Sequence, residues 1–322
     1  MDEAIKNFNK QFSYNPEIIN KKNLTKKKSF LVIGMGGSAL ASKLLNNWKP
    51  DLDLITYSDY GLPKLPNKEL KNKLIILSSY SGNTEEVIEA FKQAKKLKLK
   101  MAAIAVGGKL LSLAKENNIP YIVLPDTGIQ PRMALGFSLK ALLKLINEEK
   151  ELKKISILAE TLNPTLYQEA GKKLAQKLKN YIPVIYTSNR NLAISYNWKI
   201  KLNETGKIPA FYNVLPELNH NEMTGFDVQN STKELNNKFY FILIKDKADN
   251  NKISKRIDTL EQLYKNRNFK IEKMELVGSD IWHKIFSSLL LADWTAYYTA
   301  LSYGVEPEQV PMVEEFKKLI SK

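Results

Sequence analysis

In the first half of the chain short apolar runs alternate with amphipathic stretches, the pattern that βαβ units of a parallel sheet leave in a sequence. Strands are predicted at Phe30–Ile33, Leu52–Tyr57, Leu74–Ser79, Met101–Val106 and Tyr121–Leu124. Between them Ser38–Trp48, Thr84–Leu97 and Lys109–Glu116 place apolar residues at helical spacing, one face toward a core and the other toward water. Pro131 opens a further helix, Met133–Ile146, because a proline is tolerated where a helix begins. The charged run Glu148–Lys154 reads as a linker, and the alternation then resumes. Strands are predicted at Ile182–Thr187, Phe239–Ile244 and Lys270–Leu276, and helices at Asn191–Asn203, Lys252–Tyr264, Ile281–Tyr303 and Val313–Ile320. The expected fold class is α/β, with two domains, 1–150 and 151–322, each a mainly parallel sheet flanked by helices. A length of 322 residues agrees with roughly 150 residues per domain.

Composition narrows the chemistry. Hydrophobic residues at 43% and charged residues at 26% are those of a globular protein. No apolar run approaches the roughly 20 residues of a membrane helix, and the opening Met1–Phe12 is acidic and aromatic where a signal peptide is basic and then apolar. A cytoplasmic protein without membrane contact is expected. With no cysteine and only His220 and His283 as imidazoles, thiolate nucleophiles, disulfides and His- or Cys-ligated metals drop out. Neither a metal nor a cofactor is expected. The net charge of +15 raises nucleic acid as a partner, but only four of the 49 basic residues are arginines and the lysines are scattered singly or in short runs. Spread lysine serves solubility and attracts small anions, so a phosphorylated small molecule fits the field and nucleic acid is not expected.

Two loops carry the candidate chemistry. Gly34-Met35-Gly36-Gly37-Ser38-Ala39 lies directly after a strand and before a helix, where glycines let backbone amides approach an anion, the helix dipole assists, and Ser38 adds a hydroxyl. This loop by itself is equally a dinucleotide fingerprint, another phosphate site, or a tight turn. The second loop, Ser78-Ser79-Tyr80-Ser81-Gly82-Asn83-Thr84, leads from the buried strand at Leu74 into a helix. Ser79, Ser81 and Thr84 can converge with backbone amides on one phosphate; Thr84 alone would be read as a helix cap. A dinucleotide fold has no use for this second hydroxyl-rich cradle.

The pair of loops resembles the sugar isomerase (SIS) domain family, and within it the bifunctional phosphoglucose/phosphomannose isomerases. Further similarity lies at Pro131-Arg132-Met133-Ala134-Leu135, Asn203-Glu204-Thr205-Gly206-Lys207, Leu215-Pro216-Glu217-Leu218-Asn219-His220-Asn221 and Gly304-Val305-Glu306-Pro307, so it runs over nearly the whole chain. The resemblance implies two SIS-type domains and a metal-independent aldose–ketose isomerase interconverting glucose 6-phosphate and fructose 6-phosphate, with mannose 6-phosphate as a further substrate, through an enediol. It implies Glu204 as the base between C1 and C2, His220 in ring opening, Arg132 facing the enediolate, and Lys317 near the ring oxygen or phosphate, with Lys318 one residue away on the same helix. The phosphate would be held by Gly36, Gly37, Ser38, Ser79, Ser81 and Thr84. It also implies a homodimer in which the partner supplies the histidine. Val310 departs from a family threonine linked to accepting the mannose epimer. Two other classes compete: a non-catalytic sugar-phosphate sensor, which would ordinarily bring a helix-turn-helix that does not precede Phe30, and an NAD-dependent dehydrogenase with Asp59 as the ribose ligand.

Overall fold

The computed structural model describes residues 1–320 and divides the chain into two compact units. One is Asn7–Asn163; the other joins Met1–Lys6 to the chain from Pro164 onward. The charged run expected to be a linker is instead a helix, Glu149–Ser156, of the first unit, with Leu152 and Ile155 buried. Its lysines and Glu149 sit on the solvent face of an amphipathic pattern while Glu151 is buried, and a count of charges alone mistakes the segment for a tether. The boundary between the units therefore falls at 163/164 and not near 150.

The first unit is a five-stranded sheet in the order β2-β1-β3-β4-β5, formed by β1 Ser29–Ile33, β2 Asp53–Tyr57, β3 Leu74–Ser78, β4 Met101–Ala105 and β5 Tyr121–Val123, every neighbouring pair parallel. Strands β3 and β4 are buried at every position because helices cover both faces, which is why they read as unbroken apolar runs. The helices α1 Leu40–Trp48, α2 Glu85–Lys96, α3 Gly108–Glu116, α4 Leu135–Leu145 and α5 Glu149–Ser156 belong to this unit. In α2 the buried residues Val87, Ile88, Phe91 and Ala94 recur at helical spacing, and Glu85–Glu86 at its start and Lys95–Lys96 at its end oppose the macrodipole favourably.

The second unit is a four-stranded parallel sheet, β7-β6-β8-β9, of β6 Ile182–Ser188, β7 Phe211–Leu215, β8 Phe239–Lys245 and β9 Lys270–Glu275. Its helices are α6 Gln168–Leu178, α7 Leu192–Glu204, α8 Asn251–Asn266, α9 Ile281–Ser302 and α10 Pro311–Ile320. Asp280 caps α9, accepting the amides of Trp282 at 2.8 Å and His283 at 3.1 Å. The apolar cluster of this unit gathers Val184, Tyr186, Leu215, Leu218, Phe241, Leu243, Ile257, Leu260 and Tyr264 from β6, β7, β8, α8 and the loop after β7.

Candidate active site

In the first unit both glycine- and serine-rich loops leave the carboxyl ends of adjacent strands, β1 and β3, which is where open α/β sheets hold ligands. The loops are stitched together. The Tyr80 amide donates to Ser38 Oγ at 2.8 Å, and Ser78 Oγ donates to the Ser38 carbonyl at 3.0 Å. Ser79, 1% exposed, accepts the Gly82 amide at 3.1 Å and shares a 2.7 Å bond with Thr84 Oγ1. Exposed Ser81 accepts the Asn83 amide at 3.2 Å.

A hydroxyl carries one donor and two acceptor sites. Ser38 and Ser81 use their oxygens as acceptors here and keep the proton to donate; Ser79 and Thr84 spend one proton between them and keep the other. Three O–H donors remain beside the N-terminus of α2, a donor set matched to a phosphate.

Two glycines are required by close approaches. A Cβ on Gly82, whose φ is +72°, would stand 1.9 Å from the Gly107 carbonyl oxygen of the β4–α3 loop. A Cβ on Gly37 would stand 2.7 Å from the carbonyl carbon of Pro131 and 2.8 Å from the Arg132 amide. Gly37 thus lets the Pro131–Met133 turn lie against the first loop, and Arg132, only 2% exposed, is brought to it. Of these two glycines the sequence assigned Gly37 to the anion, and both are also required by a close approach of neighbouring backbone.

In the second unit β6 occupies the place of β1 and β8 that of β3, yet the strand-end chemistry is reversed. Asp246 and Asp249, 0% and 8% exposed, fill the position after β8. Ser188 Oγ donates to Asp249 Oδ1 at 2.6 Å, Arg190 donates to the Ala248 carbonyl at 2.6 Å, and Lys284 donates to Asp246 Oδ1 at 3.1 Å. Burial pushes the Asp249 carboxyl up; for Asp246 burial pushes the same way, but the Ala248 amide and Lys284 outweigh it and the carboxyl is held low. Carboxylates here repel a phosphate, so the anion cradle is a property of the first unit.

The remaining candidates stand in the second unit. Glu204 ends α7, half-buried, and its carbonyl accepts Lys207 Nζ at 2.6 Å. His220 closes the short turn Glu217–His220 after β7; it is exposed, and none of the described residues offers its imidazole a partner. Lys317 lies on α10 with its side chain 61% exposed and 2.7 Å from Glu314. Val310 precedes α10, and its carbonyl accepts the amides of Val313 and Glu314. No group of three or more His, Asp or Glu side chains placed to hold a metal occurs among the described residues, and no helix among them is long and apolar enough to cross a membrane.

Strand β7 was not foreseen. Phe211-Tyr212-Asn213-Val214-Leu215 is an edge strand, buried only at its last residue, and Asn213 interrupts its apolar residues. With it went Asn213 and the neighbouring Glu222, whose only sequence signal was adjacency to His220.

A doubly wound unit with hydroxyl-lined strand-end loops is followed by a second unit of like topology, the architecture of the sugar-isomerase class. The profile described as "Bacterial phospho-glucose isomerase C-terminal SIS domain" matches residues 167–320. The chain is 32% identical over 307 residues to the bifunctional phosphoglucose/phosphomannose isomerase of Aquifex aeolicus, covering 94% of this chain and 93% of that one. It is likewise 32% identical over 308 residues to the enzyme of the same name from Caldicellulosiruptor bescii, covering 90% and 89%. The crystal structure of glucosamine-6-phosphate deaminase from Thermotoga maritima shares the fold, with a TM-score of 0.68 at 19% identity over 96% of this chain and 95% of that one. The chain belongs to the bifunctional phosphoglucose/phosphomannose isomerase family.

Proposed function

We propose that the protein interconverts glucose 6-phosphate and fructose 6-phosphate through an enediol and accepts mannose 6-phosphate as a second aldose. The observation that carries this reading is the strand-end cradle, with protons of Ser38, Ser81 and the Ser79–Thr84 pair left to donate, in a member of this family. Glu204 moves the proton between C2 and C1, and the imidazole of His220 opens the ring. Arg132 is permanently charged and acts from a buried position, where a cation steadies a developing enediolate more strongly than in water. Lys317 is assigned to the ring oxygen or phosphate. The setting proposed is the cytoplasm.

A homodimer with shared sites completes the reading. Every described residue of α10 is exposed, including Met312 at 81%, Phe316 at 58% and Leu319 at 61%, although an isolated helix of this length is marginal in water. His220 likewise faces outward without a partner of its own.

A coupled assay with glucose 6-phosphate and mannose 6-phosphate, run with EDTA, tests the activity: turnover of both is expected, with mannose 6-phosphate slower because Val310 lacks a hydroxyl. No turnover, or turnover that requires a divalent ion, overturns it. Mixing inactive Glu204→Gln and His220→Ala proteins tests the sharing. Mixed dimers form one intact site, so about a quarter of wild-type activity should return on free exchange. No recovery, with exchange confirmed by tagged subunits, leaves both residues to one chain.

A further inference from the structure

Glu222 stands two residues beyond His220 and opens the short helix Glu222–Gly225. Its two carboxylate oxygens have different partners. Tyr186 OH, at the heart of β6, donates to Oε1, and Asn213 Nδ2, on β7, donates to Oε2 at 2.5 Å. Tyr186 and Asn213 are register partners on these neighbouring parallel strands, so one carboxylate is gripped by two strands at the same level of the sheet. Tyr186 is 0% exposed and packed against Phe241, its ring centroids 5.6 Å away, so this anchor is not a surface contact. Charge-assisted hydrogen bonds of this kind are the strong ones.

The rest of the loop is held to match. Leu218, two residues before His220, is 0% exposed in the core cluster, and Met223 packs against the same cluster. Asn219 Oδ1 accepts Arg256 Nη1 at 3.2 Å, and Asn221 Nδ2 donates to Glu217 Oε1 at 2.8 Å. His220 is thus the exposed residue at the middle of a segment fastened on both sides.

We infer that Glu222 is a positioning residue that fixes the His220 backbone, through Tyr186 and Asn213, so that the imidazole is presented in one orientation. The inference rests on the role proposed above for His220. A loop left free would spend conformational entropy each time the imidazole was aligned; a clamped one has lost that freedom on folding.

The test is a double-mutant cycle with fructose 6-phosphate. Glu222→Ala should lower kcat by about tenfold or more while KM changes by less than about threefold, since the phosphate contacts lie elsewhere. Glu222→Gln, which still accepts from Tyr186, should regain most of the loss. In a His220→Ala background, measured at high enzyme concentration, Glu222→Ala should cost nothing further, because there is no imidazole left to place. Should Glu222→Ala fail to fold, Tyr186→Phe removes one donor, keeps the ring in the core, and should show a smaller kcat loss with the same dependence on His220. An equal fold-loss in both backgrounds, or an unchanged kcat, overturns the inference. Wild-type activity that survives His220→Ala undiminished overturns the role of His220 instead, and the two failures are told apart by that control.

Discussion

Lys201 and Asp293 form an ion pair of 2.6 Å between α7 and α9, with side chains only 2% and 1% exposed. The pair lies one turn before Glu204, and the amides of Thr205 and Gly206 both bond the Lys201 carbonyl, so the end of α7 that carries the proposed base is tied to the long central helix through Lys201. Breaking such a pair from one side strands a charge in the interior. Asp293→Ala should destabilise the protein by about 3–5 kcal/mol, and replacing both partners by Met and Leu should restore most of it. Urea denaturation of the wild type and the two variants reads the difference; a loss under about 1 kcal/mol for the single change would show that the interior accommodates a lone lysine.

Ser81 is the exposed hydroxyl of the cradle, bonded only to the Asn83 amide, so its removal should leave the fold intact. The phosphate contact proposed for it would be shared by ground and transition states, and Ser81→Ala should raise KM for fructose 6-phosphate about tenfold with kcat within about threefold. A large kcat loss at constant KM would move Ser81 from holding the phosphate to the reaction itself.

Gly82 and Gly36 separate two reasons for glycine. Both have positive φ, +72° and +48°, but a Cβ at Gly36 meets nothing within 4 Å whereas one at Gly82 collides with the Gly107 carbonyl. Gly36→Ala should cost about 1–2 kcal/mol of backbone strain and leave the sheet edge in place. Gly82→Ala must push apart the β3–α2 and β4–α3 loops, lowering thermal stability more and disrupting substrate binding. Equal melting temperatures for the two variants would contradict the close approach.

Lys140 on α4 is 3% exposed, its Nζ donating to the Phe12 carbonyl and to Ser156 Oγ at 2.8 Å. Burial pushes its ammonium down from 10.5 to about 8. Between those values the unfolded chain holds a proton that the folded chain has released, so stability should rise with pH through that window and the penalty is full below it. Comparison with Lys140→Met over pH 7.5 to about 9.5, before Tyr14 and Tyr240, with values raised to about 12, begin to oppose the trend, isolates the effect. Parallel stability curves for the two proteins would show that Lys140 stays charged in the fold.

The alternation of apolar runs with amphipathic stretches determined the α/β class and most elements to within a residue or two, because strands covered on both faces must be apolar throughout and their covering helices must be apolar on one side. The Ser79–Thr84 loop was legible for a similar local reason, since three hydroxyls and a glycine stand between a buried strand and a helix, while its bonds to Ser38 came only with the fold. What depends on contacts far apart in the chain was decided only by the tertiary structure. β7 is a short edge strand whose apolar residues are interrupted by Asn213, and the charged helix Glu149–Ser156 was taken for a tether because its buried side consists of few residues. At Gly37 the sequence suggested an anion site but not the close approach of the backbone at Pro131, 94 residues on. Glu222 had no local mark beyond its nearness to His220, since its meaning comes from Tyr186 and Asn213, which are 27 residues apart and become neighbours only when β6 pairs with β7. Hydrogen bonds between side chains on different strands have no period in sequence, and only the folded sheet brings their partners together.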